Sequence, residues 1–200
     1  MQLHSADLSP FARKVRIVVA EKGLAGRVEI VPTNPYESDD ALLAANPLGK
    51  IPTLILDDGT SLYDSAVVCD YLDTLAEPRL MPEGEARFVA RRRLALSDGI
   101  LEAVFNIACE RNRRPEGERS PSWIERWAEA ARRGVATCAD ELDGYGSSLT
   151  LPHVGLVCAL DYVDLRASDL LDWRAGHPAL VEWYATFGER EAMRATRPQA

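Results

Sequence analysis

The sequence predicts a chain of two parts: an α/β unit over roughly the first 76 residues and an all-α unit behind it. In the first part, short apolar runs typical of strands alternate with helical patterns and with turns rich in Gly, Pro and Asp. From residue 85 onward only helical spacing recurs. We therefore divide the chain into residues 1–76, a linker at 77–84 and a helical domain at 85–200.

A first helix is predicted directly after Ser9-Pro10, because serine caps a free backbone N–H and proline suits the first helical position. Apolar residues then follow at helical spacing, charged residues such as Arg13 and Lys14 fill the other positions, and Gly23 is a typical end. The start of such a helix stabilises an anion, for example a thiolate. Taken alone, Ser9 is more simply explained as a helix cap.

The segment Asn46–Pro52 predicts a turn between a short helix and a buried strand at Thr53–Leu56. X-Pro bonds are where cis peptides occur, and a cis bond before Pro52 would turn the backbone of Ile51 outward. Its N–H and C=O could then pair with an extended peptide, as an added strand does. Lys50 could meet a carboxylate, although an ordinary solvated lysine explains it equally well.

A third helix is predicted at Asp64-Ser65, after a hairpin turn at Asp57–Thr60. Ser65 is a natural N-cap whose N–H and hydroxyl could hold a carboxylate, and Asp64 could pair with an ammonium group. An ordinary helix start explains this pair more simply when it is taken alone. The order and spacing of all three motifs together indicate a site for a small peptide.

Together these motifs resemble the glutathione site of the bacterial cytosolic glutathione S-transferases, and the SPF-x-RKV stretch from Ser9 is similar to one small subgroup. The resemblance covers nearly the whole chain and implies a thioredoxin-like domain followed by a C-terminal helical bundle domain. It implies glutathione as co-substrate, with Ser9 as the catalytic residue that assists the thiolate. Ile51 would bind the cysteinyl backbone, Asp64-Ser65 the γ-glutamyl group and Lys50 the glycine carboxylate. Phe11 completes the predicted glutathione-binding set.

The resemblance also implies a second pocket, between the first domain and a long helix predicted over about residues 85–113. An apolar cleft beside an activated thiolate suits a small hydrophobic electrophile. Apolar residues on a helix are more often core than pocket. The candidate lining residues are Phe11, Ile100, Ala103, Val104 and Asn106.

Further helices are predicted at about residues 121–142 and 154–165, with a last helix around Leu180–Phe187 and a packed tail behind it. Most members of the family carry Asp three residues after the Ser or Thr that caps the central helix. Here His153 follows Thr150 at that spacing. We therefore expect the reciprocal capping box to be absent or altered.

Charge, apolar runs and the spacing of Cys and His limit which classes of function are possible. A formal net charge of −8 argues against a nucleic-acid-binding protein, and no long apolar run or signal-peptide core is present, so a cytoplasmic location is expected. The four cysteines and three histidines show no metal-ligand spacing, and no cysteine stands near Ser9, so we expect no metal and no redox chemistry through a protein thiol there.

Three functions stay open at this point. A glutathione transferase is preferred, and a glutathione-dependent disulfide reductase or peroxidase on the same fold is the first alternative. The second is a non-enzymatic adaptor of the stringent-starvation type, although a partner-binding scaffold has no physical need for Ser9, Ile51-Pro52 and Asp64-Ser65 together. The family resemblance also implies a homodimer.

Overall fold

The structure is a computed structural model that describes residues 1–37 and 40–199. Within this part, no helix is long and apolar enough to cross a membrane. The described strands and α-helices are β1 (Gln2–Ser5), α1 (Pro10–Glu21), β2 (Glu29–Pro32), α2 (Asp40–Ala45), β3 (Thr53–Ile55), β4 (Ser61–Leu62), α3 (Ser65–Asp73), α4 (Ala86–Arg113), α5 (Pro121–Asp140), α6 (Leu151–Arg166), α7 (Pro178–Phe187) and α8 (Glu191–Ala195). One-turn 3₁₀ helices at Glu116–Glu118 and Leu142–Tyr145 follow α4 and α5.

The four strands form one sheet in the order β2-β1-β3-β4. β1 runs parallel to β2 and antiparallel to β3, so that Leu3 lies opposite both Ile30 and Leu54. Leu3 and Leu54 are fully buried. This β-α-β unit followed by a β-β-α unit confirms the predicted thioredoxin-like domain, and the helices from α4 onward confirm the predicted helical domain.

Two charged residues of α1, Arg13 and Lys14, are buried. Arg13 Nη2 lies 2.6 Å from Asp161 on α6, and Lys14 Nζ lies 2.5 Å from Asp98 on α4. Buried charges persist only when they are paired in this way. The periodicity of α1 alone does not reveal these partners, because both acidic residues come from the helical domain. These ion pairs hold the start of α1 against α4 and α6.

α6 is the buried central helix, and it begins three residues earlier than predicted, at Leu151. Its capping box is present: Nδ1 of His153 accepts the Thr150 N–H at 3.2 Å, and its Nε2 lies 3.3 Å from the Gly146 carbonyl oxygen. Burial lowers the pKa of His153 to about 4, so that a neutral imidazole takes the place of the family's carboxylate. The box is altered in its chemistry but not lost.

A short helix that the sequence did not predict, α8, follows α7. Met193 of α8 is fully buried, and its carbonyl oxygen accepts a hydrogen bond from Arg13 at 3.0 Å. On the surface, Arg190 pairs with Glu21 of α1 at 2.7 Å. The predicted packing of the C-terminal segment is therefore confirmed, and it adds a second brace to α1.

Candidate functional site

A large cleft, with a volume of about 1340 Å³, lies between the loops of the sheet domain and the helices α4 and α6. Pockets for a single small ligand are usually about 300–1,000 Å³, so this cleft has room for two molecules side by side. Seven of the predicted site residues line it, namely Ser9, Phe11, Lys50, Ile51, Asp64, Ser65 and Asn106.

Three of the predicted pocket residues, Ile100, Ala103 and Val104, are not among the residues that line this cleft. They are buried on the side of α4 that packs against α5 and α6. Ile100 lies so close to Gly134 of α5 that a Cβ there would stand 2.7 Å from its side chain. The prediction was wrong because the most apolar face of α4 is its core face, whereas its polar face borders the cleft.

Ser9 directly precedes α1 and lines the cleft. As the N-cap, its Oγ accepts the Ala12 N–H at 3.2 Å. Among the described residues nothing accepts the Ser9 O–H, and the Phe11 N–H at the second helical position has no intrahelical acceptor. Two donors and the positive end of the helix dipole therefore meet here, which suits a bound anion.

The loop that carries Ile51 is held by buried polar side chains that the sequence did not single out. Asn46, only 1% exposed, donates through Nδ2 to the Lys50 carbonyl oxygen and to Thr53 Oγ1, each at 3.0 Å. Thr53 Oγ1 in turn donates to the same carbonyl oxygen at 2.8 Å. Gly49 has φ +59°, where a side chain would be strained. This network fixes the backbone on either side of Ile51.

Ile51 lines the cleft, and in the part of the chain that the structure describes its backbone N–H and C=O are both unpaired. The Ile51–Pro52 bond is cis, and within the described chain neither the N–H nor the C=O of Ile51 has a hydrogen-bond partner. Unpaired backbone groups at a cleft wall are the usual means of binding an extended peptide. Lys50 beside it is exposed and forms no ion pair with any described residue.

At the start of α3 the structure corrects one assignment, since the N-cap is Asp64 and not Ser65. Asp64 Oδ1 accepts the Ala66 N–H at 3.0 Å, and Ser65 is the first residue of the helix. Ser65 is nearly buried, while the Asp64 side chain is exposed beside it. The pair places a carboxylate and a positive helix end at one point of the cleft, which suits a group that carries both an ammonium and a carboxylate.

The cleft has a further group of lining residues that no sequence motif predicted. They are Tyr36, Cys109, Arg113, Tyr162 and Arg166. The Arg113 guanidinium lies 3.7 Å from the centre of the Tyr36 ring. Burial raises the pKa of Tyr162 to about 12, against the opposing effect of Arg166, so its phenol stays protonated. No local motif joins these residues, because they come from three distant segments of the chain.

In the described part of the chain, no group of three or more His, Cys, Asp or Glu side chains could hold a metal ion. The residues that line the cleft bring together backbone groups, hydroxyls, carboxylates and cations. Such a set can bind a zwitterionic peptide and stabilise an anion near Ser9.

Comparison with known proteins agrees with this geometry. Residues 3–80 match the glutathione S-transferase N-terminal domain and residues 121–186 the C-terminal domain. A glutathione transferase family member from Pseudomonas fluorescens Pf-5, solved with bound glutathione, is 36% identical with a TM-score of 0.93, over 100% of this chain and 99% of its own. The uncharacterized GST-like protein YibF of Escherichia coli K12 is 28% identical over 99% of this chain and 98% of YibF. A stringent starvation protein A homolog from Haemophilus ducreyi is 35% identical over 87% of this chain and 74% of its own. The chain belongs to the glutathione S-transferase family.

Proposed function

We propose that this protein is a glutathione transferase that joins the sulfur of glutathione to a small electrophile. The observation that carries the proposal is the unpaired backbone of Ile51, which faces one cleft together with Ser9 and the start of α3. Glutathione is a short peptide with a thiol in the middle and an ammonium and a carboxylate at its γ-glutamyl end. The relative from Pseudomonas fluorescens with bound glutathione supports the same assignment.

Each part of glutathione has a proposed partner in the cleft. The N–H and C=O of Ile51 pair with the cysteinyl backbone, as a neighbouring strand would. Asp64 receives the γ-glutamyl ammonium, and the Ser65 N–H and hydroxyl receive the adjacent carboxylate at the positive end of α3. Lys50 takes the glycine carboxylate. Phe11 packs on the cysteinyl side.

Ser9 is the proposed catalytic residue, as an aid to ionisation and not as a covalent nucleophile. Its O–H and the Phe11 N–H donate to the sulfur and favour the thiolate. The sulfur then forms a bond to the electrophilic carbon, and a leaving group departs with the bonding electrons or, in an addition, the acceptor takes a proton from water. Phe11 and Phe105, whose ring centres lie 6.5 Å apart, provide an apolar wall for the acceptor.

A glutathione-dependent disulfide reductase or peroxidase is the second candidate, and it uses the same bound thiolate. A non-enzymatic adaptor is the third, and the stringent starvation protein A homolog gives it weight. An adaptor needs neither an unpaired Ile51 backbone nor a hydroxyl at Ser9, so the arrangement of the cleft favours an enzyme.

For its assembly and setting, we propose a cytoplasmic homodimer that acts in detoxification and belongs to the SPF-x-RKV subgroup. The four cysteines, all in the described part of the chain, are free thiols, which suits a reducing compartment. Phe88 of α4 is 75% exposed and Val89 beside it is 47% exposed, which gives an apolar surface that a second copy would cover.

The first test is calorimetric titration of reduced glutathione into the wild type and into Ser65→Ala, with Ser147→Ala as a matched control in an exposed loop outside the cleft. We expect saturable binding that Ser65→Ala weakens about tenfold, since it removes a hydrogen bond to a charged group, and that Ser147→Ala leaves unchanged. Absence of binding at millimolar glutathione would rule out the transferase, the disulfide reductase and the peroxidase. Turnover of electrophiles, disulfides and hydroperoxides then separates the transferase from the reductase and the peroxidase.

A further inference from the structure

The cleft has a charge gradient along α4. Along the part of α4 that lines the cleft, Asp98 and Glu102 near the middle of the helix come first, Phe105 follows, and Arg113 is the last residue. Glu102 and Arg113 are separated by 11 positions, or about 16 Å at the rise of an α-helix. Asp64 adds a third carboxylate to the cleft wall, at the proposed position of the γ-glutamyl group. The γ-glutamyl end of glutathione is proposed at this acidic end, so the basic end is left for something else.

The arginines at the basic end differ from their neighbours in lacking a carboxylate partner. Arg111 makes a two-pronged contact with Asp169 at 2.8 and 2.9 Å, and Arg114 pairs with Glu110 at 2.9 Å. Within the described residues, Arg113 and Arg166 pair with no carboxylate, although both line the cleft. An unpaired guanidinium is the strongest side-chain partner for a carboxylate.

These arginines lie on the route that a group attached to the glutathione sulfur would take. Tyr162 and Ser9 line the same small void at the start of α1, so Tyr162 is next to the proposed sulfur position. Arg166 follows Tyr162 by one turn of α6, about 6 Å along the axis. A substituent bonded to the sulfur can therefore extend past Tyr162 to Arg166, in the cleft that Arg113 also lines.

Two simpler explanations account for less. Arginine in the last turn of a helix interacts favourably with the helix dipole, and Arg113 and Arg166 both hold such positions. That effect does not require the two helix ends to meet in one cleft beside Ser9. General attraction of anions is not the explanation either, because the chain carries a formal net charge of −8.

We propose that the second substrate is an electrophile that carries a carboxylate, and that Arg113 and Arg166 bind this carboxylate while Tyr162 lies beside the reacting sulfur. The inference rests on the proposed glutathione site. It replaces the small, mostly hydrophobic electrophile that the sequence predicts with an amphipathic one, apolar against Phe11 and Phe105 and anionic at its far end. Arg113 and Arg166 are thus specificity-determining residues.

The test compares two glutathione conjugates of the same shape, S-(2-carboxyethyl)glutathione and its amide, S-(2-carbamoylethyl)glutathione, by calorimetry. In the wild type we expect the acid to bind about tenfold more tightly than the amide, as a charge-assisted hydrogen bond predicts, with a smaller preference at high salt. In the double variant Arg113→Gln/Arg166→Gln the two affinities become equal. Arg126→Gln is the matched control, since Arg126 also lies over an aromatic ring, that of Trp123, but on α5 outside the cleft.

Unmodified glutathione is titrated first in every variant, so that the two proposals fail separately. If glutathione does not bind the wild type, the proposed function fails. If glutathione binds but the acid and the amide bind equally well, or the preference for the acid survives in the double variant, the carboxylate-bearing substrate is overturned. Loss of glutathione affinity itself in a folded double variant also overturns it, because the arginines would then serve glutathione and not the second substrate.

Discussion

At the scale of a single residue, Ser9 has two tasks that use different parts of one hydroxyl. Its oxygen accepts the Ala12 N–H at 3.2 Å and so caps α1, which leaves the O–H free to donate into the cleft. A capping serine and an activating serine are therefore not alternatives here. The sequence alone favoured the simpler of the two, because only the tertiary structure shows that this helix start faces a cleft.

Ser9→Ala should separate the two tasks. Without the hydroxyl, the pKa of the bound glutathione thiol should rise by about one unit, which lowers the thiolate fraction and kcat/KM by up to about tenfold at neutral pH. Loss of the cap should also cost about 1 kcal/mol of the free energy of unfolding. Ultraviolet absorbance of the thiolate, measured against pH in the enzyme–glutathione complex, gives the pKa directly. Ser9→Thr keeps a hydroxyl and should stay close to the wild type. An unchanged thiol pKa in Ser9→Ala would rule out the activating role.

At the scale of an element, α6 depends on a cap that must be neutral. The His153 ring packs among the rings of Tyr145, Trp183 and Phe187, with the Phe187 ring centre 4.2 Å away. Burial lowers its pKa to about 4, and the nearby Arg93 and Arg190 disfavour the imidazolium further. An acceptor at Nδ1 completes the capping box only while the imidazole is unprotonated.

This cap predicts a loss of stability in mild acid. The pKa of His153 in the folded protein, about 4, lies below the value of ~6.5 in the unfolded chain, so the unfolded state binds more protons between these values. Its contribution to stability is complete above pH 6.5, and about 2 kcal/mol should be lost between pH 6.5 and pH 5. Urea denaturation over this range measures the loss. The His153→Gln protein, which lacks this titrating group, should be less stable at pH 7, but its free energy of unfolding should hardly change between pH 6.5 and pH 5. An equal slope in both proteins would assign the effect to other groups.

Periodicity predicted the long helices to within a few residues but not which face of α4 borders the cleft. α4 is apolar on the sides that meet α5 and α6, so a search for apolar residues selects its core. The face of α4 that borders the cleft carries polar residues instead, namely Glu102, Asn106 and Arg113. α8 was missed for a different reason, since five residues are too few to show a helical period.

At the scale of the whole molecule, the two halves of the cleft differ in how far sequence could predict them. The glutathione half depends on short backbone motifs, each read within a few consecutive residues, and all six of its predicted residues line the cleft. The other half depends on Tyr36, Arg113 and Arg166, which lie far apart in sequence and come together only by tertiary packing. Buried ion pairs such as Arg13 with Asp161 fix this assembly, and single-sequence patterns do not show them.

The last prediction, that of the homodimer, concerns exposed apolar side chains on α4 and α3. Phe88 and its neighbour Val89 on α4 are 75% and 47% exposed, Val67 on α3 is 45% exposed, and Asp70 joins α3 to α4 through Arg87 at 2.9 Å. Two copies that cover this patch would remove a large apolar ring from water, worth about 1.5–3 kcal/mol per side chain.

Light scattering after gel filtration should therefore give the wild type twice the 22.0 kDa mass of one chain, and Phe88→Glu the mass of one chain. Trp123→Glu, an equally drastic change at an exposed aromatic residue of α5, should stay dimeric. A monomeric wild type would contradict the dimer itself, whereas a dimeric Phe88→Glu would move the interface elsewhere. Because a two-fold axis places the same side chain in the interface twice, one buried glutamate per chain introduces two unpaired charges, and a partial effect is not expected.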